Sequence, residues 1–146
     1  MLRSTLLAAA ALALAVPVHA ATLELRAGPV TLVPGQIART LVTNASPSLC
    51  RCRLTVARNA VAEDLAVGPA RLATTDSALP GGAGLVGYQD PDLMPAVMAE
   101  LVQASAVVEC RSLTLAQVRE AARLSLELAP GRFATPTLAL QGVEAR

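Results

Sequence analysis

Lysine and tryptophan are absent from this 146-residue chain, and tyrosine, phenylalanine and histidine occur once each. Without lysine there is no Schiff-base chemistry and no phosphate-binding lysine of the Walker type. The single histidine, His19, lies in an N-terminal leader; once that leader is removed, the body can form no Ser-His-Asp or Cys-His pair and no histidine-containing zinc or copper site. Two aromatic side chains, Tyr88 and Phe133, are too few for a sugar-stacking platform or a nucleobase-binding surface, so leucine, valine and alanine must build the core. Net charge of one sign is lacking too. Twelve basic residues, all arginine, face eleven acidic ones, which leaves no field to steer the protein onto a nucleic-acid backbone or an anionic membrane. No nucleic-acid partner is expected. With 53% hydrophobic residues the chain is too apolar for intrinsic disorder.

The first twenty residues carry one positive charge at Arg3, an apolar run from Leu6 to Val16, and a short end at Val18-His19-Ala20. These are the three parts of a secretory signal peptide, with the cut predicted after Ala20. The apolar run is shorter than the roughly 18 to 20 residues needed to span a bilayer and is broken by Pro17, so no integral membrane span is expected after processing. Residues 1–20 are therefore read as a signal peptide and 21–146 as a single β-sandwich domain, periplasmic or secreted.

From Ala21 to Thr43 the chain consists of short alternating runs separated by Gly28-Pro29 and Pro34-Gly35. Runs of this length, rich in Val, Leu, Ile and Thr, predict antiparallel strands over 22–26, 30–33 and 37–43. The stretch Asn44 to Ser48 predicts a turn. The strand 49–57 that follows has the clearest period of two, with Cys50, Cys52, Leu54 and Val56 on one face and Arg51, Arg53 and Thr55 on the other. One face is thus buried and the arginines point to water. Shorter strands are expected at 62–67 and 70–75, then a long glycine-rich loop from Ser77 to Pro91. Gly81, Gly82 and Tyr88 of that loop are the candidate binding residues. After Pro95 both helical and alternating patterns fit; strand is preferred nearest Cys110, ahead of another alternating run at Ser112 to Leu115. For 117–128 a helical turn followed by a strand satisfies both patterns. A turn at Ala129-Pro130-Gly131 and a strand at 135–140 close the sheet. The fold class is all-β, an antiparallel two-sheet sandwich with a short helix in the C-terminal half.

Three cysteines, Cys50, Cys52 and Cys110, follow the leader in a compartment that permits disulfides. Cys50 and Cys52 share a strand face, so either can meet Cys110 from a neighbouring strand or the opposite sheet. Cys52 is preferred as the partner of Cys110, and Cys50 is the alternative. Zinc wants four ligands, and a redox pair is usually C-x-x-C, so a structural bridge with one idle thiol is the expected arrangement. No cofactor is expected. Asp90 and Asp92 supply too few oxygens for a calcium site, Glu63-Asp64 reads as a solvated turn, and Asn44-Ala45-Ser46 matches a glycosylation acceptor.

The run Val30 to Arg39 with its Pro34-Gly35-Gln36 turn, the following Leu41-Val42-Thr43-Asn44, then Cys52 to Val56 and a distant Cys110 resemble small exported bacterial immunoglobulin-like β-sandwich proteins. The resemblance implies a fold with two cysteines joining the sheets, and no activity. The function expected is a non-enzymatic cell-envelope or extracellular interaction module with a protein partner. The rivals are a small periplasmic enzyme using Ser, Asp or Glu, with Asp90 and Asp92 as candidates, and a structural subunit assembling by strand exchange, for which a displaced strand around Thr22 to Arg26 would speak.

Overall fold

A computed structural model describes residues 20–62, 65–89 and 99–146. The expectations placed on residues 1–19, on Glu63 and Asp64, and on Asp90, Asp92 and Pro95 fall outside these. Among these described residues, nine strands and one helix follow one another as β1 (Ala21–Leu32), β2 (Ile37–Asn44), β3 (Cys50–Ala62), β4 (Leu65–Leu79), β5 (Gly84–Gln89), β6 (Ala99–Cys110), α1 (Leu115–Ala121), β7 (Ala122–Ala129), β8 (Leu138–Gln141) and β9 (Val143–Glu144). Sheet I has the order β4-β3-β6-β1-β9 and sheet II the order β5-β2-β7-β8, with every pairing antiparallel. The architecture is an all-β two-sheet sandwich with one short helix.

Period-two patterning produces the core. Leu23, Leu25 and Ala27 of β1, Cys50 to Val56 at alternate positions of β3, and Val102 to Cys110 at alternate positions of β6 all bury toward sheet II. Sheet II answers with Ala38 and Val42 of β2 and Leu124, Leu126 and Leu128 of β7. The hydrophobic core among the described residues is built from aliphatic side chains and the three cysteines, with no aromatic ring.

Several expectations are corrected in detail. The strands expected at 22–26 and 30–33 are one strand, whose register against β6 slips between Ala27 and Val30. Of those expected at 62–67 and 70–75, Ala62 is the end of β3, and 65–67 and 70–75 belong to one long β4, which passes Gly68-Pro69 through a register shift against β3. The long loop expected from Ser77 is a short turn at 80–83, because Ser77 to Leu79 still pair with β3 and Gly84 to Gln89 pair with β2. Gly81 and Gly82 therefore sit in the turn that carries the chain from sheet I to sheet II, and Tyr88 is on a strand. Residues 99–110 are strand and not helix. The alternating run at Ser112 to Leu115 is not a strand: Thr114 and Gln117 form a reciprocal capping box that starts α1. The strand expected at 135–140 is β8, which begins at Leu138.

Candidate functional site

Four groups of residues stand out, and the first is the three cysteines. The bridge joins Cys50 to Cys110, with Cα atoms 4.3 Å apart, and Cys52 is free and buried. The preferred pairing of Cys52 with Cys110 is thereby corrected to the alternative. Register is the reason: Cys110 lies directly opposite Cys50 on the neighbouring strand, while Val108 lies opposite Cys52. The resemblance implied a bridge between sheets, whereas this one lies within sheet I.

Burial pushes the Cys52 thiol up to about 11, with the charge of Asp76 adding to the effect. A thiol is neutral when protonated, so the folded state holds this proton more tightly than the unfolded chain does. Its contribution to stability is complete below pH 9 and is lost as pH rises toward 11. We expect no thiol to react with Ellman's reagent in the native protein and one per chain after unfolding in denaturant. The urea midpoint of Cys52→Ala is expected to fall less steeply between pH 9 and 11 than that of the wild type. Equal slopes would reject this account.

The second group centres on Asn44, at the end of β2 and 2% exposed. Its Nδ2 donates to the carbonyls of Ser48 at 2.7 Å and Leu79 at 2.9 Å and lies 3.4 Å from Cys50 Sγ. Its Oδ1 accepts from the backbone and hydroxyl of Ser46. Its backbone N–H and carbonyl bond to Ala83 and Gly82. One amide thus ties the end of sheet II to the ends of β3 and β4 beside the disulfide. The amide of the Asn44-Ala45-Ser46 match is enclosed and committed in the folded chain. The glycines of the nearby turn serve the same junction. Gly82 takes φ +77°, and a Cβ at Gly81 would lie 2.5 Å from the carbonyl oxygen of Ser46. Asn44→Ala would remove the amide's bonds to Ser48, Leu79 and Ser46 at this junction, and we expect a loss of about 2–3 kcal/mol in urea unfolding.

The third group is on the outer face of sheet II. Tyr88, Arg39 and Glu127 stand side by side across β5, β2 and β7. Arg39 Nε donates to Glu127 Oε2 at 2.6 Å, and its Nη1 donates to the carbonyls of Arg132 and Ala134. The Arg132 guanidinium lies 5.1 Å from the centre of the Tyr88 ring. These contacts brace the turn 131–134, itself closed by a bond from Ala134 N–H to the Gly131 carbonyl. On that turn Phe133 is 94% exposed. Val86, on the same face of β5 as Tyr88, is half-exposed. Both aromatic residues of the chain therefore gather on this outer surface. Tyr88 was singled out from the sequence; Phe133 was seen only as one of two scarce aromatics, and nothing in its neighbours' pattern marked it as exposed.

An ionic cluster around a buried carboxylate caps the core near Gln89. Glu100 of β6 faces inward and is 1% exposed. Arg58 Nε donates to its Oε2 at 3.0 Å, Arg71 Nη2 donates to its Oε1 at 2.9 Å, and Arg58 Nη1 also reaches Gln89. At the opposite edge Arg119 of α1 holds Glu144 of β9 in a two-point pair at 2.7 and 2.8 Å. That hydrogen bond holds the Glu144 carboxyl below its ordinary value, so its stabilisation is present at neutral pH and is lost on acidification.

Among the described residues no cluster of three or more His, Cys, Asp or Glu is placed to hold a metal, and no helix is long and apolar enough to cross a membrane. The segment Thr22 to Arg26 pairs with Ser105 to Glu109 of its own chain and is not displaced. Comparison with protein-family models, with curated proteins and with solved structures finds no match for this chain.

Proposed function

We propose that the protein is an exported, non-enzymatic interaction module that recognises a protein partner through the Phe133 turn. The observation that carries this reading is a phenylalanine held almost wholly in water on a turn braced by Arg39 and by the stacking of Arg132 on Tyr88. Burying such a side chain gains about 1.5–3 kcal/mol, and a chain that builds its core from aliphatic residues has spent its one phenylalanine outside. Bracing matters because a pre-ordered anchor loses little entropy on docking. Aromatic and arginine side chains are the usual anchors of protein interfaces.

Export is supported by two features. The Cys50 to Cys110 bridge suits an oxidising compartment. The first described strand begins at Ala21, directly after the proposed cut.

Both parts are open to test in the cells that make the protein. N-terminal sequencing of the exported form is expected to begin at Ala21. A photo-crosslinking amino acid at Val86 is expected to give a discrete adduct with a partner, and Phe133→Ala is expected to abolish that adduct while leaving the melting temperature unchanged. An adduct that survives Phe133→Ala, or labelling no stronger than at Gln103 on sheet I, would overturn the reading.

A further inference from the structure

We infer that β4 is a self-pairing edge, along which two copies of this chain join through their first sheets. The inference concerns a different surface and a different partner from the Phe133 turn, and it stands without that reading.

Among the described residues β4 is an outer strand of sheet I, paired only with β3. Every residue from Gly68 to Asp76 is exposed, including Ala73 and Thr75, which lie on the inner face yet are left uncovered by sheet II. The direction of its backbone groups follows from the disulfide position. Directly opposite residues on antiparallel strands are about 4.5 Å apart only at non-hydrogen-bonded pairs, and Cys50 and Cys110 are 4.3 Å apart. The backbone of Cys50 therefore turns away from β6 and toward β4, and so do those of Cys52, Leu54 and Val56. Their partners Leu79, Ser77, Thr75 and Ala73 are bonded to β3. The groups left pointing outward are those of Leu72, Thr74, Asp76 and Ala78. The same alternation, carried across β6 to β1, turns Glu24 away from β6, and its carbonyl indeed accepts from Ala145 on the far side.

The two halves of this edge differ. Before Arg71 it is guarded, by the register shift at Gly68-Pro69 and by the inward arginine, both of which discourage pairing. From Leu72 to Leu79 there is no proline and no shift, and the stretch is rich in threonine.

That half is its own complement. A two-fold axis perpendicular to the sheet must pair residues of the same face. Centred on Thr75, it sets Thr74 opposite Asp76 of the second copy and Leu72 opposite Ala78, with no like charges opposed. Centring on Thr74 would put Leu72 against a carboxylate and Pro69 against Leu79, and centring on Asp76 would oppose two carboxylates. The Thr75 register also gives the four outward residues of each strand hydrogen-bonding partners. A single strand pair of this length makes a small interface, so association should be concentration-dependent.

The test uses the full chain expressed with its own leader and purified oxidised. Light scattering on a sizing column is expected to give monomer mass at low micromolar concentration and to move toward twice that mass at several hundred micromolar. Thr74→Pro removes an outward N–H and no backbone bond to β3, giving up only the exposed hydroxyl contact with Thr55, and is expected to stay monomeric; its circular dichroism and melting curve check that it folds. Thr75→Cys provides an arm that does not depend on the proline variant. Opposed across the axis at a non-hydrogen-bonded pair, it is expected to form a disulfide-linked dimer on mild oxidation at least ten times faster than Thr74→Cys. Monomer mass at every concentration, a dimer persisting in folded Thr74→Pro, or equal crosslinking of the two cysteine variants would overturn the inference. Phe133→Ala should dimerise normally, which separates this outcome from failure of the turn as a recognition surface.

Discussion

Glu100→Ala is expected to lower stability by about 3–5 kcal/mol, a large part of what a domain of this size possesses. Glu100 is 1% exposed and receives bonds from Arg58 and Arg71 on the inner faces of β3 and β4. Truncation leaves guanidinium charge at the end of the core without the carboxylate that the two arginines share, and Arg58, with 14% of its side chain exposed, cannot simply swing into water. In urea unfolding the midpoint should fall by roughly 1 M or more. The exposed pairs of sheet I provide the contrast: Arg26 with Glu24 and Arg53 with Asp76 are screened by solvent, and Asp76→Asn should change stability by less than about 1 kcal/mol. A Glu100→Ala effect as small as that of Asp76→Asn would mean that water already reaches the cluster.

Removing the bridge with Cys50→Ala and Cys110→Ala together should cost about 4 kcal/mol. The link spans 60 residues, and in the chain-entropy account a loop of that length restricts the unfolded chain by roughly this amount. The folded pairing of β3 with β6 needs no sulfur, so the double variant should retain its strand content in circular dichroism while melting far lower. Peptide mapping under non-reducing conditions should recover a fragment joining Cys50 to Cys110, with Cys52 alkylated only after denaturation. Recovery of Cys52 joined to Cys110 would show that β3 and β6 are two residues out of the register described here.

These two expectations differ in how much of them could be read from residues alone. The alternation of Cys50, Cys52, Leu54 and Val56 against Arg51, Arg53 and Thr55 sufficed to make 50–56 a strand with one buried face, because side-chain direction in a strand is local geometry. It could not choose between two cysteines on that face. Glu100 carried no signal at all: it sits in an alternating run whose inward positions are otherwise apolar, and its partners are 42 and 29 residues away. Asn44 was legible as a turn residue, but as the amide that joins both sheets it depends on carbonyls from Ser48 and Leu79. The glycine-rich stretch from Ser77 looked like a loop because glycine marks turns; most of it is strand, and Gly81 is small because the 46–47 backbone packs against it.

By itself, then, the sequence determined the class of fold, since short alternating runs cut by Pro and Gly can bury an apolar face only by stacking sheets. It also determined the aliphatic character of the core, having almost no aromatic residue to offer. Only the tertiary structure decided which cysteine is bridged, where the buried carboxylate of Glu100 finds its arginines, which scarce aromatic stands in water and which strands lie at the sheet edges. Each of these depends on strand register and on which strand neighbours which, quantities fixed by the packing of distant segments against one another.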